Sequence, residues 1–154
     1  MQDLVQIIDA AMAEAVRKSG AWIACRAGCF ECCIGPFEIT QGDARRLREG
    51  LAALTATDPE RAARLRQRAS VHVVDDEALC PALDPESGTC DLYEARPITC
   101  RMFGPAVRSG GAVVGVCELC YVGASDEEIA ACAVEVELEE PEDGQETTVA
   151  MALV

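Results

Sequence analysis

A chain of 154 residues, half of them apolar, has the size and composition of one folded domain and excludes a disordered polymer. Its net charge of −14 excludes a general nucleic-acid binder, which needs a basic footprint, and no uninterrupted apolar run approaches the roughly 20 residues of a membrane span. Aromatic side chains are scarce, so the core rests on Ala, Val, Leu and Ile, and metal ligation would supplement it because ligand closure adds directly to folding free energy.

Met1-Gln2-Asp3 carries no basic residue, and Asp9 and Glu14 interrupt the apolar residues that follow, unlike a secretory leader. A cytoplasmic location is expected, where clustered cysteines bind metal or do redox chemistry more often than they form disulfides. Val5, Ile8, Met12 and Val16 recur at helical spacing and predict an amphipathic helix over 2–19, ended by Ser19-Gly20. The run Cys25-Arg26-Ala27-Gly28-Cys29-Phe30-Glu31-Cys32-Cys33 comes next. Gly28 and Gly35-Pro36 make it a loop suited to wrapping backbone around an ion.

Thr40-Gln41-Gly42-Asp43 has the form of a helix start and is followed by Leu47, Leu51 and Leu54. Asp58-Pro59-Glu60 begins a second helix, with a capping Asp and Pro at the first helical position, and Ala62, Leu65 and Ala69 as its apolar side. This predicted helical pair separates two cysteine-bearing loops and carries seven of the thirteen basic residues, between Arg45 and Arg68. The stretch 75–100 is turn-rich and bears Cys80, Cys90 and Cys100, with Pro97 placed to open a short helix presenting Cys100 and Arg101. Val107 and Val113-Val114 flank Ser109-Gly110-Gly111 as a small hairpin.

Cys117-Glu118-Leu119-Cys120 follows, and Ser125 caps a helix with Ile129, Cys132, Ala133 and Val136 on one face. Pro141 and Gly144 are expected to end regular structure. From Asp126 onward there are ten Asp and Glu and no Lys or Arg. These charges are most simply solvated faces; a contact between the basic segment and an acidic partner or the tail is the alternative. Thr147–Val154 is apolar and open to three outcomes: an edge strand, a docking tail or a disordered end.

Ten cysteines against a single histidine are the strongest chemical signal in the chain. Four thiolates are the usual complement of a structural zinc ion or a cubane iron–sulfur cluster. Neighbouring side chains diverge, so Cys32 and Cys33 do not readily join one tetrahedral site. Cys25, Cys29 and one of the pair are expected to share a centre, with the other facing a second centre or reaching the same one through an unusual turn. Cys80, Cys90 and Cys100 complete one or two centres. The number and irregular spacing of the thiols favour an iron–sulfur cluster, [4Fe–4S] in type, with zinc as the alternative. Cys117 and Cys120 add two ligands, form a redox pair or serve as structural thiols. Cys132 reads as a packed small hydrophobe and His72 as a surface or core histidine. Arg96 and Arg101 are expected to bond backbone carbonyls and hold the loop beside the thiols. Cys25-x3-Cys29-x2-Cys32 also matches the cluster spacing of radical-SAM enzymes, but the chain has neither the length nor the strand–helix alternation of their barrel.

CRAGCFECC, then Cys80-Pro81-Ala82-Leu83, then Cys90-Asp91-Leu92-Tyr93-Glu94-Ala95-Arg96-Pro97-Ile98-Thr99-Cys100-Arg101 resemble the YkgJ-type cysteine-cluster family over residues 25–105. That family carries a CxxCxxCC signature and is described as zinc- or iron-chelating, or as containing an iron–sulfur cluster; flagellin lysine N-methylase has a similar cluster. Three residues, not two, separate Cys25 from Cys29 here, which lengthens the first loop and leaves the ligand type unchanged. The resemblance implies Cys25, Cys29, Cys32, Cys33, Cys80, Cys90 and Cys100 as metal ligands and fixes no reaction.

The expected fold is mainly α, with a small α+β arrangement as the alternative: a single helical domain with long cysteine-rich metal-binding loops and a short hairpin. Residues 1–140 form the cysteine-cluster domain and 141–154 an acidic and apolar tail. Three functions follow in order. The first is a cytosolic iron–sulfur protein for electron transfer, sensing or cluster handling; the second a zinc-stabilised binding module without a redox role. The third is an accessory part of a methylase-like modifying enzyme, for which the chain shows no glycine-rich nucleotide loop and no nucleophile–histidine set. The composition leaves room for an unidentified protein partner, and neither nucleic acid nor membrane is expected.

Overall fold

The computed structural model describes residues 3–137 and 147–154. It divides into two compact units, Met1–Arg26 with Ile98–Glu140 and Ala27–Pro97 with Pro141–Val154. Helices dominate and the sheets are small, as the sequence predicts. No helix among the described residues is long and apolar enough to cross a membrane.

In the first unit, helix α1 (Leu4–Ser19) starts on Asp3, whose carboxylate accepts from the Val5 amide, and ends with Arg17 and Lys18 in its last turn, where cations suit the helix dipole. Its buried stripe is Ile8, Met12, Ala15 and Ser19, while Val16 is 45% exposed. The stripe is thus rotated from the predicted Val5–Val16 face. Small Ala15 and Ser19 permit close packing, and the Ser19 hydroxyl is satisfied by the Ala15 carbonyl at 2.6 Å and the Tyr121 hydroxyl at 2.7 Å.

Helix α4 (Ile98–Arg101) follows Pro97, as predicted, and a hairpin turns at Gly110-Gly111. Its strands β4 (Val107–Ser109) and β5 (Ala112–Val114) are antiparallel, and β6 (Val134–Glu135) joins β4 in parallel. Helix α5 (Asp126–Cys132) opens on a capping box between Ser125 and Glu128. It is shorter than its apolar pattern suggested. Ala133 is already extended, and Val136 packs with Ile8, Met12, Met102 and Val107 instead of continuing the α5 face.

In the second unit, α2 (Gln41–Thr57) and α3 (Pro59–Ser70) form the predicted helical hairpin. Thr40 and Asp43 make a reciprocal cap on α2, and Asp58 caps α3. Leu47 and Leu51 of α2 and Ala62, Leu65 and Ala69 of α3 build the core. The C-terminal segment does two of the things expected of it. Strand β7 (Thr147–Thr148) pairs antiparallel with β1 (Glu38–Ile39), and helix α6 (Val149–Ala152) then sends Val149, Ala152 and Leu153 into that core. Pro141 and Gly144 lie outside the described residues. A two-stranded hairpin, β2 (Leu83–Asp84) with β3 (Thr89–Cys90), completes the unit.

Candidate metal centre

The second unit holds Cys29, Cys32, Cys33, Cys80 and Cys90. Glu31–Cys33 forms one 3-10 turn, closed by the Cys33 amide donating to the Phe30 carbonyl at 2.8 Å. The Cys33 carbonyl then accepts from the Cys80 amide at 2.7 Å, and Ile34 bridges Leu79 in antiparallel fashion. Downstream, the Leu83 amide donates to the Cys80 carbonyl and Leu83 stands opposite Cys90. Three cysteines distant in sequence are therefore joined through backbone hydrogen bonds. His72, remote from any cysteine in sequence, lines the same shallow cleft as Cys80, together with Gly35, Phe37 and Pro81.

The arginines of α3 hold these turns. The Asp91 carboxylate, its side chain 1% exposed, pairs with Arg61 and Arg68, each at 2.5 Å, and Arg68 Nε also donates to the Pro81 carbonyl at 2.9 Å. One guanidinium thus ties the residue after Cys80 to the residue after Cys90. Part of the basic stretch is consumed inside the unit: Arg46 pairs with Asp43, and Arg66 donates to the Thr55 hydroxyl.

The thiols sense one another electrically. Cys32 is lowered to about 6, first because the Cys33 thiol donates a hydrogen bond to its thiolate, against the cost of burial, with help from the Arg96 charge. Cys33 is raised because it gives that bond, then by burial and by the charges of Cys32, Cys80 and Cys90. Burial raises Cys80, and it raises Cys90 to about 11. Arg96 donates to the Tyr93 carbonyl at 2.8 Å, as predicted, and lies 3.7 Å over the Tyr93 ring.

The first unit holds Cys25, Cys100, Cys117, Cys120 and Cys132, so the unit boundary falls inside the CRAGCFECC run. Cys25 and Cys120 bring their sulfurs to 4.0 Å, and the Ala24 amide donates to the Cys120 sulfur at 3.4 Å. Cys117 and Cys120 are both buried, in a turn closed by the Cys120 amide on the Cys117 carbonyl at 3.0 Å. Tyr121, buried with φ of 57°, accepts at its hydroxyl from the Ala106 amide at 2.7 Å while its own amide donates to Trp22. Arg101, beside Cys100, reaches both oxygens of Asp9 at 3.0 and 2.8 Å. Cys132 donates to the Lys18 carbonyl at 3.7 Å.

Asp91, Asp9 and Tyr121 escaped the sequence reading. Each directly follows a cysteine or pairs with the residue that does, yet nothing in one sequence marks an ion pair spanning 30 or 92 positions. Among the described residues no disulfide is formed, and no three His, Cys, Asp or Glu side chains are set as they stand to hold an ion. Loading therefore entails movement of the thiols from these positions. The donor set fits a thiophilic metal: it is sulfur throughout, on backbone turns already fixed by hydrogen bonds.

A family model matches residues 24–121, from just before Cys25 to just after Cys120; its description is CxxCxxCC, a putative zinc- or iron-chelating domain. The chain belongs to the CxxCxxCC family. Metal binding is the function this membership carries, and the match takes in nine of the ten cysteines, leaving only Cys132 outside. Neither curated proteins nor solved structures return a match to this CxxCxxCC chain.

Proposed function

We propose that Cys32, Cys33, Cys80 and Cys90, with Cys29 beside them in sequence, hold an iron–sulfur cluster of the [4Fe–4S] type, serving electron transfer, sensing or cluster handling in the cytoplasm. The observation that carries this is the backbone linkage that brings the Cys32-Cys33 turn, Cys80 and Cys90 together in one unit, with Asp91 turned away to the arginines of α3. Such a cluster, when bound, supplies one-electron chemistry. The residues of the chain set its surroundings: Arg96 offsets thiolate charge, and Arg68 fixes the Cys80 and Cys90 turns. The net charge of −14 favours a protein partner over nucleic acid or an anionic membrane.

Protein purified with and without oxygen and assayed for iron, acid-labile sulfide and zinc tests this. Iron and sulfide in near-equal amounts are expected anaerobically; zinc without sulfide in either preparation overturns it. One observation favours a second function, a zinc-stabilised binding module. Arg45, Arg48 and Arg64 remain exposed on α2 and α3 after the internal pairs are made, and would form its contact face.

A further inference from the structure

We propose that residues 71–74 form an open strand edge through which two copies of this chain pair antiparallel into a weak two-fold dimer. The inference is independent of which metal the cysteines hold.

The chain leaves α3 at Val71 and runs on through His72, Val73 and Val74. Three of these four residues are β-branched, the type that favours a strand. Val71, Val73 and Val74 are 65%, 73% and 54% exposed. His72 and Val74 line the shallow cleft with Phe37 and Val149, whereas Val71 and Val73 do not, which is the alternation of an extended chain. Among the described residues the amides of Val73 and Val74 donate to no backbone carbonyl. The carbonyls of residues 71–74 accept from no backbone amide. Apolar side chains on an unpaired main chain are a template for another strand.

The flanking charges select which strand that is. The last seven residues of α3 bring Arg64, Arg66 and Arg68 and no acid. Arg68 is engaged with Asp91, but Arg64 and Arg66 are exposed, and Arg66 donates only to the neutral Thr55 hydroxyl. Directly after the valines come Asp75, Asp76 and Glu77, all exposed. Asp75 accepts from the Glu77 amide at 2.8 Å, and none of the three joins an ion pair among the described residues.

The order is therefore basic, apolar, acidic. That order complements itself when a second copy runs antiparallel, because each acidic turn then meets the arginines of the other copy. A parallel copy would set like charge on like. A helix rises about 1.5 Å per residue and an extended chain about 3.3 Å, so both charged sets stand roughly 10 Å from His72. With His72 opposite His72, Val71 of each copy faces Val73 of the other, and cross-strand valines pack on each other. The contact is the same patch twice, and it closes at two copies. It is small, which makes the dimer weak.

Sedimentation equilibrium of the metal-loaded full chain in reducing buffer, from about 10 μM to about 1 mM, tests this. The wild type is expected to dimerise with a dissociation constant of about 50 μM. V73K, R64E/R66E and D76K/E77K, all at exposed positions, are each expected to weaken the dimer at least about tenfold. The two charge variants mixed in equal amounts are expected to recover a dimer within about threefold of wild type, because both charged contacts are again between opposites. Raised salt is expected to weaken the wild-type dimer. A wild type still monomeric at about 1 mM overturns the proposal and leaves the edge to a strand of another protein. A dimer that V73K does not weaken forms through another surface and overturns it as well. So does a mixture of the two charge variants that remains monomeric while each alone keeps the circular dichroism of wild type.

Discussion

The two units solve the same problem with opposite charges buried. Each has a cysteine followed directly by a charged residue that anchors it to a helix. In the second unit that residue is Asp91, after Cys90, with its side chain 1% exposed and its partners Arg61 and Arg68 at 37% and 23%. In the first it is Arg101, after Cys100, at 4%, with its partner Asp9 at 49%. The anchoring residue is buried and the partner reaches water. Removing a partner takes compensation from a buried charge, whereas removing the anchor releases a charge that can be hydrated. The expected cost of a substitution therefore follows which member is buried, and not which sign it carries.

The largest effect is expected in the second unit, where one buried carboxylate depends on two cations. R61Q/R68Q is expected to lose about 4 kcal/mol of stability, against less than half of that for Asp91→Asn, because only the former leaves an uncompensated buried charge. Chemical denaturation of the metal-loaded protein measures both. A D91N loss equal to or above that of R61Q/R68Q breaks the comparison. Loss of the Arg68–Pro81 bond also loosens the Cys80 turn, so weaker metal retention should accompany R61Q/R68Q.

In the first unit the same order is expected with the charges exchanged. Asp9→Asn, at a half-exposed carboxylate, is expected to cost about 3 kcal/mol, the value for breaking a buried pair and well above the 0–1 typical of a surface ion pair. Arg101→Met, which keeps most of the side-chain volume and frees Asp9 to water, is expected to cost less. Equal losses, or a D9N loss within the surface range, would show that Arg101 is held by its surroundings and not by Asp9.

What the sequence made legible follows the range of the interaction. Caps, turns and helix periodicity are local, so the Thr40, Asp58 and Ser125 starts and the Gly110-Gly111 hairpin were readable. The clustered thiols were readable as a metal-binding signature, which the family match bears out for the domain, because thiols have few other reasons to cluster. Their distribution was not. Cys25 and Cys29 are neighbours in sequence yet fall in different units, and Cys100 parts from Cys80 and Cys90, because the first unit is assembled from two distant segments of chain. Periodicity also misplaced the face of α1, since it weights bulky side chains and the packing at Ala15 and Ser19 selects small ones. Ion pairs such as Arg68–Asp91 leave no local trace at all.

The smallest effect separates thiols within the second unit. In metal-free, reduced protein Cys32 is lowered to about 6 by the hydrogen bond from Cys33, and Cys90 is raised to about 11 by burial. The thiolate is the nucleophile, so alkylation of Cys32 should rise with pH through about 6 and then level off, while Cys90 keeps rising. At pH 8 Cys32 is almost wholly ionised and Cys90 ionised to about one part in a thousand. A thiolate of lower pKa is also a poorer nucleophile, by about two decades over this gap, which cuts the advantage of Cys32 to roughly tenfold. At pH 6 half of Cys32 is ionised and Cys90 only to about one part in 100,000, so the preference grows to a few hundredfold. Selectivity should therefore increase as the solution is acidified. Peptide mapping after brief iodoacetamide pulses from pH 5 to pH 9 measures it. A Cys32 profile centred near the ordinary thiol value of about 8.5 would show that Cys33 does not donate to it, and with that the electrostatic link between the run and the downstream thiols would lose its first member.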